Sequence, residues 1–198
     1  MTTGVSNKFA ILNWIAFFGW LFVSCRLLFL FQSRDITSLF KPVKILEGIC
    51  ILEVVRIFLG DLKGNVVLGT VLHTIRLITI LETMVRLPNH WTGPFILGSW
   101  AITEVCRYPM YMFPTNDFCR SIRMVVPLLT FPIGAFSEAY GAYVVFVAPE
   151  TPIALKVALS GVLFVNGALG PTMAYPALLK KGLPILGLGK NRKAKKEE

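Results

Sequence analysis

Six stretches of mostly apolar residues alternate with short polar connections along the chain. A helix needs about 20 apolar residues to cross the hydrocarbon core of a bilayer. The connections are short and rich in glycine and proline, so consecutive helices should be antiparallel neighbours in one bundle. The pattern predicts an all-α fold, a six-helix transmembrane bundle, with spans at approximately 9–31, 43–59, 65–85, 91–113, 122–148 and 153–179.

The composition agrees with a membrane protein. Hydrophobic residues make up 55% of the chain and charged residues only 16%, whereas soluble domains carry about 25% charged residues. Six spans use most of the 198 residues and leave no room for a soluble catalytic domain. We therefore expect a single integral membrane domain over residues 1–198, with a basic tail at 180–198.

The basic residues are concentrated after the last span. Of the 20 lysines and arginines, seven lie between Lys180 and Lys196. Such a tail is expected to face the anionic cytosolic leaflet, and an even number of spans then places both termini in the cytosol. Because no basic–aromatic interleaving accompanies the tail, nucleic-acid binding is not expected. The pair Lys195-Lys196 resembles the di-lysine signal of endoplasmic-reticulum membrane proteins and predicts that location.

The cysteines and histidines form no pattern typical of a metal site or a catalytic site. The four cysteines form no C-x-x-C pair, and the two histidines lie on different segments, so a metal site has no support. Cys50 and Arg56 match the C-x5-R spacing of phosphatase nucleophile loops, but the residues between them are apolar and typical of a helix interior. A phosphate cradle needs free backbone amides in a glycine-rich loop, so phosphatase chemistry is not expected.

Opposite charges inside the spans are spaced as helical pairs. Each acid precedes its base by three or four residues, the spacing that places both on one helix face. The pairs are Glu53–Arg56, Glu82–Arg86 and Glu104–Arg107. Pairing makes charges tolerable at membrane depth and usually means that they face protein or a wet cavity. We expect the first two pairs to link helices and Glu104 to hold Arg107 in place.

Glu138 is different, because it is the only charged residue between Met124 and Ala148. A carboxylate at membrane depth costs roughly 2.5–3.5 kcal/mol and by default marks a functional residue facing the bundle interior. The alternative is that Glu138 only holds helices together by hydrogen bonds. Pro132 and Gly134 precede it, and a kink with room for a neighbour there would suit a cleft between helices.

Three stretches resemble the 3-hydroxyacyl-CoA dehydratases, six-span enzymes of the endoplasmic reticulum once called protein-tyrosine-phosphatase-like proteins. Residues 100–108, WAITEVCRY, are similar to the family's W-S-I-T-E-I-x-R-Y. Arg123 and then residues 131–138, FPIGAFSE, are similar to its R-Y-…-Y-P-x-G-x-x-x-E. Glu53, the segment 58–60 and Arg76 fit its second and third spans.

The resemblance implies removal of water from (3R)-3-hydroxyacyl-CoA to give the trans-2-enoyl-CoA, the third step of very-long-chain fatty acid elongation. It implies no cofactor, membrane lipid as surroundings, and the elongase, ketoacyl-CoA reductase and enoyl-CoA reductase of the same cycle as partners. The reaction needs a base, an acid and donors to the thioester oxygen. Glu138 would be the acid–base residue, and Arg107, Tyr108 and Arg123 would bind or polarise the substrate. Arg76 is a weaker candidate that would act through neighbouring side chains.

One departure from the family pattern leaves two functions open. The family's catalytic tyrosine lies seven residues before the glutamate, where this chain has Phe131, and Met124 replaces a second tyrosine after the arginine. Either the protein is a dehydratase in which Tyr108 or water supplies the missing group, or it is a weak or inactive relative that binds acyl-CoA or organises the elongation complex. A proton-coupled transporter using Glu138 would show repeated halves, which this sequence does not.

Overall fold

The computed structural model describes residues 9–30, 35–60, 62 and 64–188. Within these ranges the chain is helical, with no strand, and forms six helical rods. They are α1 (Ala10–Leu30), α2 (Thr37–Phe58), α3 (Val66–Arg86), α4 (Thr92–Met112), α5 (Asp117–Val147) and α6 (Ile153–Gly182). The all-α prediction is confirmed. The di-lysine pair and most of the predicted basic tail lie outside the described residues.

Four of the six rods, α1, α3, α5 and α6, are long and apolar enough to cross a membrane. The other two, α2 and α4, carry most of the buried charged side chains and are less apolar for that reason. A membrane protein is therefore supported, and the count of six spans stays a prediction.

The rods alternate in direction. Trp14 near the start of α1 contacts Phe113 just after α4, and Arg56 near the end of α2 lies over the ring of Phe9. The space in front of Gly182, the last residue of α6, is filled by the carbonyl of Met124 in α5. The beginning of α1 and the end of α6 therefore lie at the same end of the bundle.

Two helices begin earlier than the hydrophobic pattern predicts. α2 starts at Thr37, where the side chain of Asp35 accepts hydrogen bonds from the Thr37 amide at 3.1 Å and hydroxyl at 2.6 Å. These bonds hold the pKa of the Asp35 carboxyl below its usual value. The helix then continues through Pro42, which the sequence analysis places in a loop. α5 starts at Asp117 because Asn116 caps its first amides.

Proline also interrupts the hydrogen bonds of α5. Pro132 has no amide hydrogen to donate to the carbonyl of Leu128, four residues before it. The hydroxyl of Tyr175 in α6 donates to that carbonyl at 3.1 Å. The interruption in α5 thus becomes a point of attachment for α6.

α4 and α5 approach each other closely where Gly134 faces Ser99. A side chain at Gly134 would place its Cβ 2.5 Å from the Ser99 hydroxyl oxygen and 3.1 Å from Ser99 Cβ. Only glycine fits this contact without movement of a neighbour. The close approach brings the inner faces of α4 and α5 together.

We predict that Gly134→Ala destabilises the bundle by about 1–3 kcal/mol, because the added methyl group overpacks the α4–α5 contact. Gly161→Ala in α6 is the matched control, since nothing lies within 4 Å of the added carbon. Thermal unfolding of both variants in detergent micelles measures the difference. Equal melting temperatures for the two variants would contradict this packing.

Candidate functional site

Glu138 lies inside the bundle and is held by two neutral donors. Its side chain is 7% exposed. The indole nitrogen of Trp100 in α4 donates to Oε1 at 2.7 Å, and the amide nitrogen of Asn166 in α6 donates to Oε2 at 3.0 Å. Within the described part of the chain, no lysine, arginine or histidine forms an ion pair with Glu138. The carboxyl group is therefore fixed in direction by neutral donors and not by a directly bound cation.

Glu138 borders a cavity of about 210 Å³ between α3, α4, α5 and α6. α4 contributes Trp100, Thr103, Glu104 and Arg107, whose spacing of three and four residues places them on one helix face. These positions extend about 10.5 Å along the helix axis. The cavity therefore runs from Glu138 toward the end of the bundle where the described chain begins and ends.

Asn166 reaches Glu138 from an unusual part of α6. Residues Val165–Ala174 form π-helical turns, which are wider than α-helical turns and occur frequently at functional sites. Asn166 lies at the start of this segment and is 9% exposed. These wide turns lie in the contact between α5 and α6, as does the hydrogen bond from Tyr175 to the Leu128 carbonyl. This contact brings the Asn166 amide to the Glu138 carboxylate.

A network of buried ion pairs forms one wall of the cavity. Arg76 in α3 bridges two carboxylates, Glu47 of α2 at 3.3 Å and Glu104 of α4 at 2.8 Å. His73 contacts the other oxygen of Glu47 at 2.5 Å. The guanidinium of Arg76 also lies 4.7 Å from the centre of the Trp100 ring, within the range of cation–π attraction. The network thus supports the tryptophan that holds Glu138.

Arg107 lines the same cavity and joins two carboxylates. It pairs with Glu104 on its own helix at 2.6 Å, as predicted, and with Glu53 of α2 at 3.3 Å. The predicted pair Glu53–Arg56 is wrong. Arg56 turns instead to α1, where it donates to Asn13 at 3.4 Å. Glu53 therefore pairs with Arg107 of α4 and not with Arg56 of its own helix, and this ion pair links α2 to α4.

The third predicted pair lies away from the site. Glu82 and Arg86 are 3.3 Å apart, and their side chains are 41% and 39% exposed. The pairing itself is confirmed. Because both side chains are accessible, the pair contributes little to the site or to stability.

Tyr108 and Arg123 are not beside Glu138. The hydroxyl of Tyr108 lies 3.4 Å from the sulfur of Cys50, on the α2 side of α4, and its side chain is 1% exposed. Arg123 lies 3.0 Å from the sulfur of Met110 and 5.6 Å from the centre of the Tyr111 ring. The sequence predicts five site residues in addition to Glu138. Three of them, Arg76, Glu104 and Arg107, line the Glu138 cavity.

Phe131, at the position of the family tyrosine, borders two cavities. It lines the Glu138 cavity, and it also lines a second cavity of about 250 Å³ together with Tyr175. The rings of Phe131 and Tyr175 are nearly parallel, with centres 6.2 Å apart. Ala135 and Asn166 line both cavities as well. Phe131 is therefore shared by the cavity that Glu138 borders and the cavity that Tyr175 borders.

A comparison with known protein families shows to which family this chain belongs. The family model described as protein tyrosine phosphatase-like protein, PTPLA, matches residues 48–179, two thirds of the chain. The chain belongs to this family. It is the family of very-long-chain 3-hydroxyacyl-CoA dehydratases. No curated protein and no solved structure matches the chain significantly.

The phosphatase-like name of the PTPLA family does not describe chemistry present in this structure. Cys50 and Arg56 both lie within α2, whose backbone amides are engaged in the helix. The cysteine is fully buried, and the arginine contacts α1. The segment between them offers no loop of free amides for phosphate, as the sequence analysis predicts.

Four residues of the site carry little signal in the sequence: Trp100, Asn166, Glu47 and His73. Trp100 stands out only as the first residue of the 100–108 motif. Neutral tryptophan and asparagine carry no charge signal within an apolar helix. Glu47, however, is an acid in the predicted second span with no base three or four residues after it. That exception could have indicated a partner on another helix.

We predict that Arg76→Met destabilises the protein by about 3–5 kcal/mol, because it leaves Glu47 and Glu104 buried without their shared cation. Arg86→Met on the same helix removes an exposed pair and is the matched control, with an expected change of about 0–1 kcal/mol. Thermal unfolding in detergent measures both. A small effect of Arg76→Met would show that the buried network does not hold α2, α3 and α4 together.

Proposed function

We propose that this protein is a membrane-embedded hydro-lyase that removes water from (3R)-3-hydroxyacyl-CoA to give trans-2-enoyl-CoA in very-long-chain fatty acid elongation. The observation that carries the proposal is the buried Glu138 carboxyl group, fixed by two neutral donors at the edge of a cavity. Membership of the PTPLA family supports it. A carboxylate without a bound cation keeps lone pairs available for a substrate proton.

In this mechanism Glu138 takes the proton from the carbon beside the thioester carbonyl. The thioester already makes that proton acidic, so a positioned base is sufficient. Arg107 and Arg76 lie on the same cavity and would stabilise the negative charge that develops on the thioester oxygen. The hydroxyl group on the next carbon leaves with a proton as water. No cofactor is required for this chemistry.

The charge distribution supports a direction for the substrate. Gly182 abuts the Met124 carbonyl, so the last turn of α6 lies beside the first turns of α5. This end of the bundle therefore carries Arg123 together with Lys180 and Lys181. We propose that these cations bind the CoA phosphates, with the acyl chain extending inward past Arg107 toward Glu138. Arg123 would then bind the substrate at a distance from the reacting carbons.

This function implies a cellular setting. We propose that the protein resides in the endoplasmic reticulum membrane with both termini in the cytosol. It would act beside the elongase, ketoacyl-CoA reductase and enoyl-CoA reductase, which make its substrate and use its product. The beginning of α1 and the end of α6 lie at the same end of the bundle, which agrees with an even number of spans.

Phe131 favours a second candidate function. Phenylalanine cannot donate or accept a proton where the PTPLA family has tyrosine. Loss of one general acid or base typically removes a factor of about 10²–10⁴ in rate. The alternative is therefore a weak or inactive relative that binds acyl-CoA or organises the elongation enzymes.

We predict that Glu138→Gln lowers the conversion of 3-hydroxyacyl-CoA to enoyl-CoA by about 10²–10⁴-fold, because the amide cannot accept the substrate proton. The assay uses microsomes or purified protein in lipid. Glu82→Gln is the control, since that glutamate is exposed and away from the cavity. Unchanged turnover in Glu138→Gln would remove the site assignment. No wild-type turnover, with a gain in Phe131→Tyr, would establish the inactive-relative alternative.

We predict that Trp100→Phe lowers turnover roughly 10- to 100-fold, because a hydrogen bond to a charged group contributes about 1.5–3 kcal/mol. The smaller ring keeps most of the packing but loses the donor to Glu138. Trp91→Phe is the matched control, because that ring packs with Phe95, Phe136 and Tyr140 instead. Equal turnover of the two variants would show that the indole does not orient the carboxylate.

A further inference from the structure

The proposed dehydration lacks an assigned acid for the departing hydroxyl group. Leaving as water requires a proton, and a tyrosine hydroxyl is a suitable donor because its pKa in water is about 10. Phe131 has no hydroxyl. The chain holds five tyrosines, so the question is which of them lies where a hydroxyl is needed.

Four of the tyrosines are poorly placed. Tyr140 and Tyr143 are 40% and 53% exposed on the outer surface of α5. The hydroxyl of Tyr108 is engaged with Cys50 on the α2 side of α4. Tyr111 follows Trp100 by 11 residues, which is about 16 Å along a helix axis.

Tyr175 is beside Phe131. Its ring is nearly parallel to the Phe131 ring, at an angle of 8°, and both rings line the second cavity. Phe131, Ala135 and Asn166 separate that cavity from Glu138 and line both spaces. A ligand that displaces the Phe131 ring would therefore contact Glu138 on one side and Tyr175 on the other.

The Tyr175 hydroxyl also lies at the level where the family hydroxyl would be. Side chains of an α-helix lean toward its N-terminus, over the preceding turn. A tyrosine at position 131 would thus direct its hydroxyl toward the turn that contains Leu128. Tyr175 donates to the Leu128 carbonyl at 3.1 Å. Two different helices would deliver a phenol to the same turn of α5.

Pro132 explains why the phenol is held there. The Leu128 carbonyl accepts no hydrogen bond from position 132, because proline has no amide hydrogen. The carbonyl is therefore free to accept from Tyr175. A substrate hydroxyl that entered by displacing the Phe131 ring would compete with the carbonyl for the Tyr175 proton.

We propose that Tyr175 is the general acid that replaces the family tyrosine in this protein. The inference rests on the proposed dehydratase function. Glu138 takes the C2 proton, the C3–O bond breaks, and the Tyr175 phenol transfers its proton to the leaving oxygen to form water. The phenolate regains a proton from Glu138 through the released water, so the enzyme returns to its starting state. The substrate loses one hydrogen and one hydroxyl group in total.

The threonine hydroxyls on the Glu138 cavity are weaker donors. Thr103 and Thr130 lie 2.7 Å apart, and Thr103 also lies 2.7 Å from the Ser99 carbonyl oxygen. Aliphatic hydroxyls do not titrate in the accessible pH range, unlike a phenol. They are therefore an alternative that the experiment must separate from Tyr175.

The test compares Tyr175→Phe with the double variant Phe131→Tyr, Tyr175→Phe in the same turnover assay. Tyr175→Phe keeps the stacked ring and should lower turnover by about 10²–10⁴-fold. The double variant should recover activity, because it restores a hydroxyl at the family position. Tyr143→Phe is the matched control. Wild-type turnover that is unaffected by Tyr175→Phe, or lost instead in Thr130→Val, overturns this inference alone; absence of wild-type turnover overturns the proposed function and the inference with it.

A second measurement covers the case in which Tyr175→Phe does not fold. Difluorotyrosine at position 175 keeps the ring and the hydroxyl but makes the phenol more acidic. A general acid must be protonated, so its activity is lost as pH rises. The alkaline limb of the rate profile should therefore move to lower pH. An unchanged profile would show that Tyr175 only caps Leu128, and it would overturn the inference.

Discussion

Charged side chains can remain inside an apolar bundle only if other groups compensate them, and this constraint organises the protein. Arg76 and Arg107 lie among Glu47, Glu53 and Glu104, and the resulting ion pairs join α2, α3 and α4. Breaking such a buried pair is costly because it leaves one charge without a partner. The three helices are therefore held as a platform on which the site is built.

Glu138 is compensated differently. It receives neutral hydrogen bonds from Trp100 and Asn166 and lies beside the platform rather than within it. Arg76 of the ion network contacts the Trp100 ring, and Trp100 in turn donates a hydrogen bond to Glu138. Arg76 and Arg107 are engaged in ion pairs, whereas no lysine, arginine or histidine of the described chain forms an ion pair with Glu138. We infer that Glu138 is therefore the group of this site that can accept a proton from a substrate.

The six apolar stretches predict the six helices, because a helix that crosses a bilayer needs about 20 apolar residues. They do not predict the more polar first turns of α2 and α5. The helical spacing also predicts Glu104–Arg107, where both residues face the interior. It fails for Glu53, because Arg107 of a neighbouring helix is a partner that sequence spacing cannot show. Asn166 and Tyr175 become significant only through the packing of α6 on α5. The replacement at Phe131 is visible in the sequence, but the nearby phenol is not.

The proposed dehydration requires Glu138 to exchange a proton with the carbon beside a thioester carbonyl. Incubation of purified protein with trans-2-enoyl-CoA in D₂O tests this step directly, because hydration in the reverse direction places a solvent proton on C2. Mass spectrometry of the 3-hydroxyacyl-CoA should show one deuterium at C2 with the wild type and about 10²–10⁴-fold less product with Glu138→Gln. Deuterated product formed equally by Glu138→Gln would contradict the account.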